Sequence, residues 1–120
     1  MQKLAKREEQ IMQVFWTLQK AFIKEVIPEM PDPKPHYNSV ATMVKILEEK
    51  GFLAHDAVGN IYQYYPAISK EEYQRHSMKD IVSQYFDNSY SNMLAFFAKE
   101  QNMSDDEIND IVNLIKNKKK

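Results

Sequence analysis

Cysteine is absent from this chain, which removes a disulfide framework, thiolate metal sites and cysteine nucleophiles from consideration together. The absence also suits a reducing compartment, so a cytoplasmic setting is expected. Glycine occurs only at Gly51 and Gly59, too sparsely for a glycine-rich loop that cradles phosphate. No apolar run approaches the roughly 18 residues that span a bilayer, and the leading MQKLAKREEQ has no apolar signal segment. Neither membrane insertion nor secretion by that route is expected. An excess of one charge is missing too: 16 Lys and Arg stand against 17 Asp and Glu, a formal net charge of -1. Nucleic-acid binding usually shows as a basic domain, so here it must rest on a local patch. The histidines His36, His55 and His76 lie far apart without clustered acids, and no nucleophile–base pair stands out. No metal, no cofactor and no enzymatic activity are expected.

What the chain does have is helical periodicity. Its 120 residues, 43% of them hydrophobic, suffice for one ordinary domain or two very small ones. From Glu8 to Leu18, Ile11, Val14, Phe15 and Leu18 share one stripe, with acids in the first turn where the helix dipole favours them. Trp16, beside Phe15, is read as core. The next segment, AFIKEVIPEM, spaces Ile23, Val26, Ile27 and Met30 alike, but Pro28 predicts a kink or a helix end near Val26 or Ile27. Pro31, Pro33 and Pro35 then make a stiff extended connector.

The stretch from His36 to Gly51 organises the chain. Val40, Met43, Val44 and Leu47 form a buried stripe, while Asn38, Ala41, Thr42, Lys45 and Glu49 collect on the other face. No acid lies between Asp32 and Glu48, whereas Lys34, His36 and Lys45 do, so the segment is locally basic. Small hydrogen-bonding groups near a helix start suit a DNA groove. Gly51 is expected to stop the helix. FLAHDAV and IYQYYP then flank Gly59-Asn60, a Gly-first turn that predicts a tight hairpin ended by Pro66. Three helices followed by a hairpin make a mainly α, winged helix-turn-helix fold. The candidate DNA-binding residues are Lys34, Tyr37, Asn38, Ser39, Ala41, Thr42, Lys45 and, in the wing, His55 and Asn60. Tyr37 and Asn38 suit sugar-phosphate contacts or, equally, packing and helix capping.

Residues 69–120 read as a small helical element after a winged-helix domain over 1–68. Ser69 with Glu72, and Ser104 with Glu107, fit capping boxes. Asp87-Asn88-Ser89 breaks the first of three short helices. Their apolar stripes, Tyr85, Phe86, Tyr90, Met93, Leu94 and Phe97, then Ile108, Ile111, Val112 and Ile115, exceed what 52 residues can bury alone. A partner subunit is the expected cover, ahead of a ligand pocket among the aromatics. The terminal NKKK reads as a solubilising end.

Glu9-Gln10-Ile11-Met12 through Phe15-Trp16, Ser39-Val40-Ala41-Thr42-Met43 through Leu47 and Lys50-Gly51, and Tyr62, Tyr64 and Pro66 together resemble the BlaI/MecI-type penicillinase repressors, which include copper-responsive cousins. The resemblance implies a homodimeric winged-helix transcriptional repressor of antibiotic-resistance or stress genes. It implies a palindromic double-stranded DNA operator, dimerisation through the C-terminal helices, and inactivation by a sensor-linked protease. Two departures stand out. Phe96-Phe97 occupies the place of the family's scissile Asn-Phe, and the copper branch's C-terminal cysteines are missing. Ile46 stands where some members have Arg, with Lys45 one place earlier. The alternative reading is a winged-helix module that docks protein and binds no operator, favoured by the near-neutral charge.

Overall fold

Leu4, Ile11, Met12, Val14 and Phe15 bury one side of the first helix, α1 (Lys6–Leu18). The computed structural model describes residues 1–118; of the terminal basic run, Lys119 and Lys120 lie outside them. Where the periodicity puts Leu18 on the buried stripe, the structure leaves it exposed and buries Met12 instead. Leu18 is the last helical residue, beside the open groove formed with Gln10, Val14, Glu29 and Pro31, where the core ends. The Gln19 N–H bonds the Phe15 carbonyl at 2.7 Å, and the chain turns there with Gln19 at φ 74°. Ala21 exchanges two backbone hydrogen bonds of 2.9 Å with Tyr64. Ala21 thus serves as a one-residue third strand, and the short second helix expected before Pro28 follows it as α2 (Ile23–Val26).

Pro28 sits inside a 3-10 turn, Ile27–Glu29, that carries the end of α2, as the missing N–H requires. Helix α3 (Tyr37–Glu49) buries Val40, Val44 and Leu47 and half-buries Met43. It ends in a Schellman motif: the Phe52 N–H bonds the Leu47 carbonyl at 2.9 Å and the Gly51 N–H bonds that of Glu48 at 3.0 Å. Gly51 has φ +85° there, the left-handed conformation glycine adopts most cheaply. Strands β1 (Leu53–Val58) and β2 (Ile61–Pro66) pair antiparallel, from Leu53 opposite Pro66 to Val58 opposite Ile61. Gly59, at φ +61°, supplies the first position of the two-residue turn.

Helix α4 (Lys70–Tyr85) follows. Its start is fastened to the winged helix: Tyr73 is buried in that core, packs edge-on to Phe52 at 5.8 Å, and donates to Glu9 at 2.9 Å. Trp16 lies at the core's rim, half-buried, 5.5 Å from the Tyr73 ring, and donates its indole N–H to the Ile68 carbonyl at 2.9 Å. Contacts divide the chain into Met1–His76 and a second unit that starts at Ser77. The first is a winged helix-turn-helix: three helices, a hairpin and one shared core.

The second unit comprises the rest of α4, α5 (Tyr90–Glu100) and α6 (Asp105–Lys118). Left-handed Asp87 and Asn88 separate α4 from α5. Both expected serine caps form, with the hydroxyls accepting the Glu72 and Glu107 N–H groups at 3.1 and 3.2 Å. The glutamate carboxylates bond the serine hydroxyls instead of the backbone N–H assumed for a full capping box. Glutamates do reach back in that way where no hydroxyl stands at the cap: Glu8 to the Ala5 N–H and Glu25 to the Phe22 N–H, both 2.8 Å.

Candidate nucleic-acid interface

The buried stripe of α3 dictates which of its residues face outward. Asn38, Ser39, Thr42 and Lys45 are exposed and Ala41 is half-exposed, so five of the predicted contact residues lie on the helix's open side. Thr42 hydrogen-bonds the Asn38 carbonyl at 2.9 Å, which leaves the hydroxyl oxygen free to accept from a further donor. Lys45 makes no ion pair among the described residues. No acid stands in the first turn of α3. His36, not Asn38, occupies the N-cap; its backbone leads straight out of the Pro35 connector, placing Tyr37 as the first helical residue, with its ring about half exposed.

Tyr37 and Asn60 share a groove of about 320 Å³ with Phe22, Lys24, Tyr62 and Tyr64. The groove thus brings together the start of α2, the start of α3 and the tip of the hairpin. Lys24 was not among the residues the sequence singled out. Its signal is a cation in the single turn of α2, legible only once the hairpin is folded alongside. Burial, followed by the charges of Glu48, Tyr62 and Tyr37, pushes the Tyr64 phenol above its ordinary value.

The remaining two predicted residues are engaged within the fold. The Lys34 ammonium donates to the carbonyls of Pro28, at 3.0 Å, and Met30, and lies 3.6 Å from Asp32; it caps the turn after α2. The His55 Nδ1–H donates to Glu48, near the end of α3, and its ring stacks on Tyr62 with centroids 4.1 Å apart at 21°. His55 therefore pins the hairpin to α3. The hairpin tip presents Val58, Ile61 and Tyr62, all exposed.

In the second unit, most of the predicted dimerisation residues are exposed: Tyr85, Tyr90, Leu94, Phe97, Ile108, Ile111, Val112 and Ile115. Phe86 and Met93 are half-buried. Helix α5 contains no buried residue. Met78, Phe96 and Leu114 add to the uncovered apolar surface, and Phe86, Phe96 and Phe97 form one ring cluster with centroids 5.5–6.4 Å apart. No metal-binding group of side chains, and no helix long and apolar enough to cross a membrane, is found among the described residues.

The family model described as penicillinase repressor matches residues 4–117. The methicillin resistance regulatory protein MecI of Staphylococcus aureus is 20% identical over 117 residues, spanning 97% of this chain and 95% of that protein. MecI of Mammaliicoccus sciuri is 21% identical over 119 residues, with the same shares. Among solved structures, the monomeric form of BlaI from Bacillus licheniformis, in complex with the blaP half-operator, is similar with a TM-score of 0.50 and 27% identity. The match covers 60% of this chain and 89% of that one.

Proposed function

We propose that this chain, which belongs to the penicillinase repressor family, represses its target genes as a homodimer seated on a palindromic operator. It is a DNA-binding transcriptional repressor and not an enzyme. The observation that carries the finer reading is the outer face of α3, where Asn38, Ser39, Thr42 and Lys45, which has no ion pair among the described residues, stand exposed opposite the buried Val40, Val44 and Leu47. Seated in the major groove, Ala41 and Thr42 would meet a thymine methyl or a base edge, and Lys45 a guanine or phosphate. Tyr37 and Asn60 would fix orientation against the backbone. Lys34 and His55 would then act at one remove, holding the turn before α3 and the hairpin in place.

Replacing Lys45 by Ala should weaken operator binding by about 1–3 kcal/mol if it reads a base. Direct titration of a labelled duplex checks this, and unchanged affinity would remove Lys45 from the interface.

The uncovered stripes of α5 and α6, which a second copy would bury, support the homodimer reading. Two-fold symmetry then asks for two half-sites one or two helical turns apart. A Leu94→Glu variant should sediment as a monomer at concentrations where the parent protein is dimeric, since a charge in a closing apolar seam goes unpaired. A variant that stays dimeric would place the seam elsewhere.

A further inference from the structure

The hairpin from Leu53 to Pro66 contains no Lys or Arg, and its one basic candidate, His55, is turned inward onto Glu48. A DNA backbone passing the wing therefore meets no cation on it. Lys20 lies against the hairpin but is paired with Asp56 at 3.3 Å; Lys24 lines the groove of about 320 Å³ beside Tyr37, Asn60 and Tyr62. None of that groove's lining residues is acidic. Lys24 is exposed and makes no ion pair among the described residues. Glu25, its neighbour on α2, is committed to the Phe22 N–H. Phe22, Ile61 and the tyrosine rings give the groove apolar walls, and the Tyr37 and Tyr62 hydroxyls and the Asn60 amide add polar groups.

From this arrangement we infer that the groove seats one sugar-phosphate unit of duplex DNA, with the Lys24 ammonium on the phosphate and the aromatic walls against the deoxyribose. The assignment rests on the DNA-binding reading above and adds to it a residue outside α3. It also replaces the wing by the start of α2 as the source of the flanking positive charge. A phosphate contact carries no base information, so Lys24 contributes equally to any duplex sequence.

The test is a salt series of binding titrations on the full chain, with an operator-bearing duplex and a scrambled one, for the parent protein, Lys24→Ala and Lys24→Arg. One phosphate contact contributes about 0.9 to the slope of log affinity against log salt. The alanine variant should lose about that much slope and bind both duplexes roughly eightfold more weakly at ~0.1 M salt, and the arginine variant should restore the slope. Thermal melts confirm that the exposed substitution leaves folding intact. A steep slope in the parent that persists unchanged in the alanine variant overturns the phosphate assignment, as does weakening confined to the operator duplex. A parent protein with no salt-dependent binding at all would instead overturn the DNA-binding reading on which it stands.

Discussion

A Phe52→Ala variant is expected to lose about 3–5 kcal/mol of stability, the usual cost of emptying a fully buried phenylalanine site. Phe52 has no exposed surface and ties several elements at once. Its N–H closes the end of α3 on Leu47, its carbonyl accepts the Ala67 N–H at 2.8 Å beyond the hairpin, and its ring packs edge-on to Tyr73 of α4. A unit of this size has only about 4–11 kcal/mol in total, so the cavity removes a large share of it. DNA binding should fail at temperatures where the parent is still active, because the α3 face is presented only by the folded unit. Urea unfolding measures the loss, and Phe52→Leu, which keeps most of the volume, should cost under about 1.5 kcal/mol. A loss below 1 kcal/mol for the alanine variant would mean that the site is not packed as described.

Lys50→Met should cost about 2–3 kcal/mol at neutral pH, and the loss should shrink on acidification. Glu8 is a buried acid in this core, and Lys50 donates to both of its carboxylate oxygens, at 3.1 and 2.9 Å. Burial by itself raises the Glu8 pKa, but the Ala5 N–H and the hydrogen bond and charge of Lys50 together outweigh it and hold the carboxyl below its ordinary 4.5. Because the folded value is depressed, the pair's contribution is fully present above about pH 4.5 and is lost as pH falls through the folded pKa. Without Lys50, burial dominates and the folded carboxyl titrates above its unfolded value, so protonation then favours the folded variant. Unfolding measured at pH 7 and pH 4 should show the gap between parent and variant narrowing at the lower pH. An equal gap at both would show that the loss is one of packing alone. Glu8→Gln should cost less, since it keeps an acceptor for Ala5 and leaves Lys50 free to reach water.

Helix α3 and the hairpin were legible in the sequence because each is written locally. Val40, Val44 and Leu47 repeat at helical spacing, Gly51 sits where a left-handed residue closes the helix, and Gly59-Asn60 fixes the register of two short strands. Contacts between residues far apart in the chain left no such mark. Glu8 reads as an ordinary first-turn acid until Lys50, 42 positions later, is folded against it. Ala21 contributes a single bridge to Tyr64, too short to show a period of two, so its pairing leaves no mark in the sequence. Leu18 keeps the helical spacing but falls past the edge of the core. On the candidate interface, the open face of α3 follows from its buried stripe. The inward turn of His55 and Lys34, and the place of Lys24 beside the wing, depend on neighbours that periodicity does not identify.

Sequence-specific DNA binding can be measured by titrating the purified protein against a duplex from its own promoter and a scrambled duplex, at two salt concentrations. The protein should clearly prefer the promoter duplex, with affinity that falls steeply as salt rises, as counterion release requires. Weak binding that does not distinguish the two duplexes and barely responds to salt would contradict that expectation, and would favour a winged helix whose exposed face docks another protein.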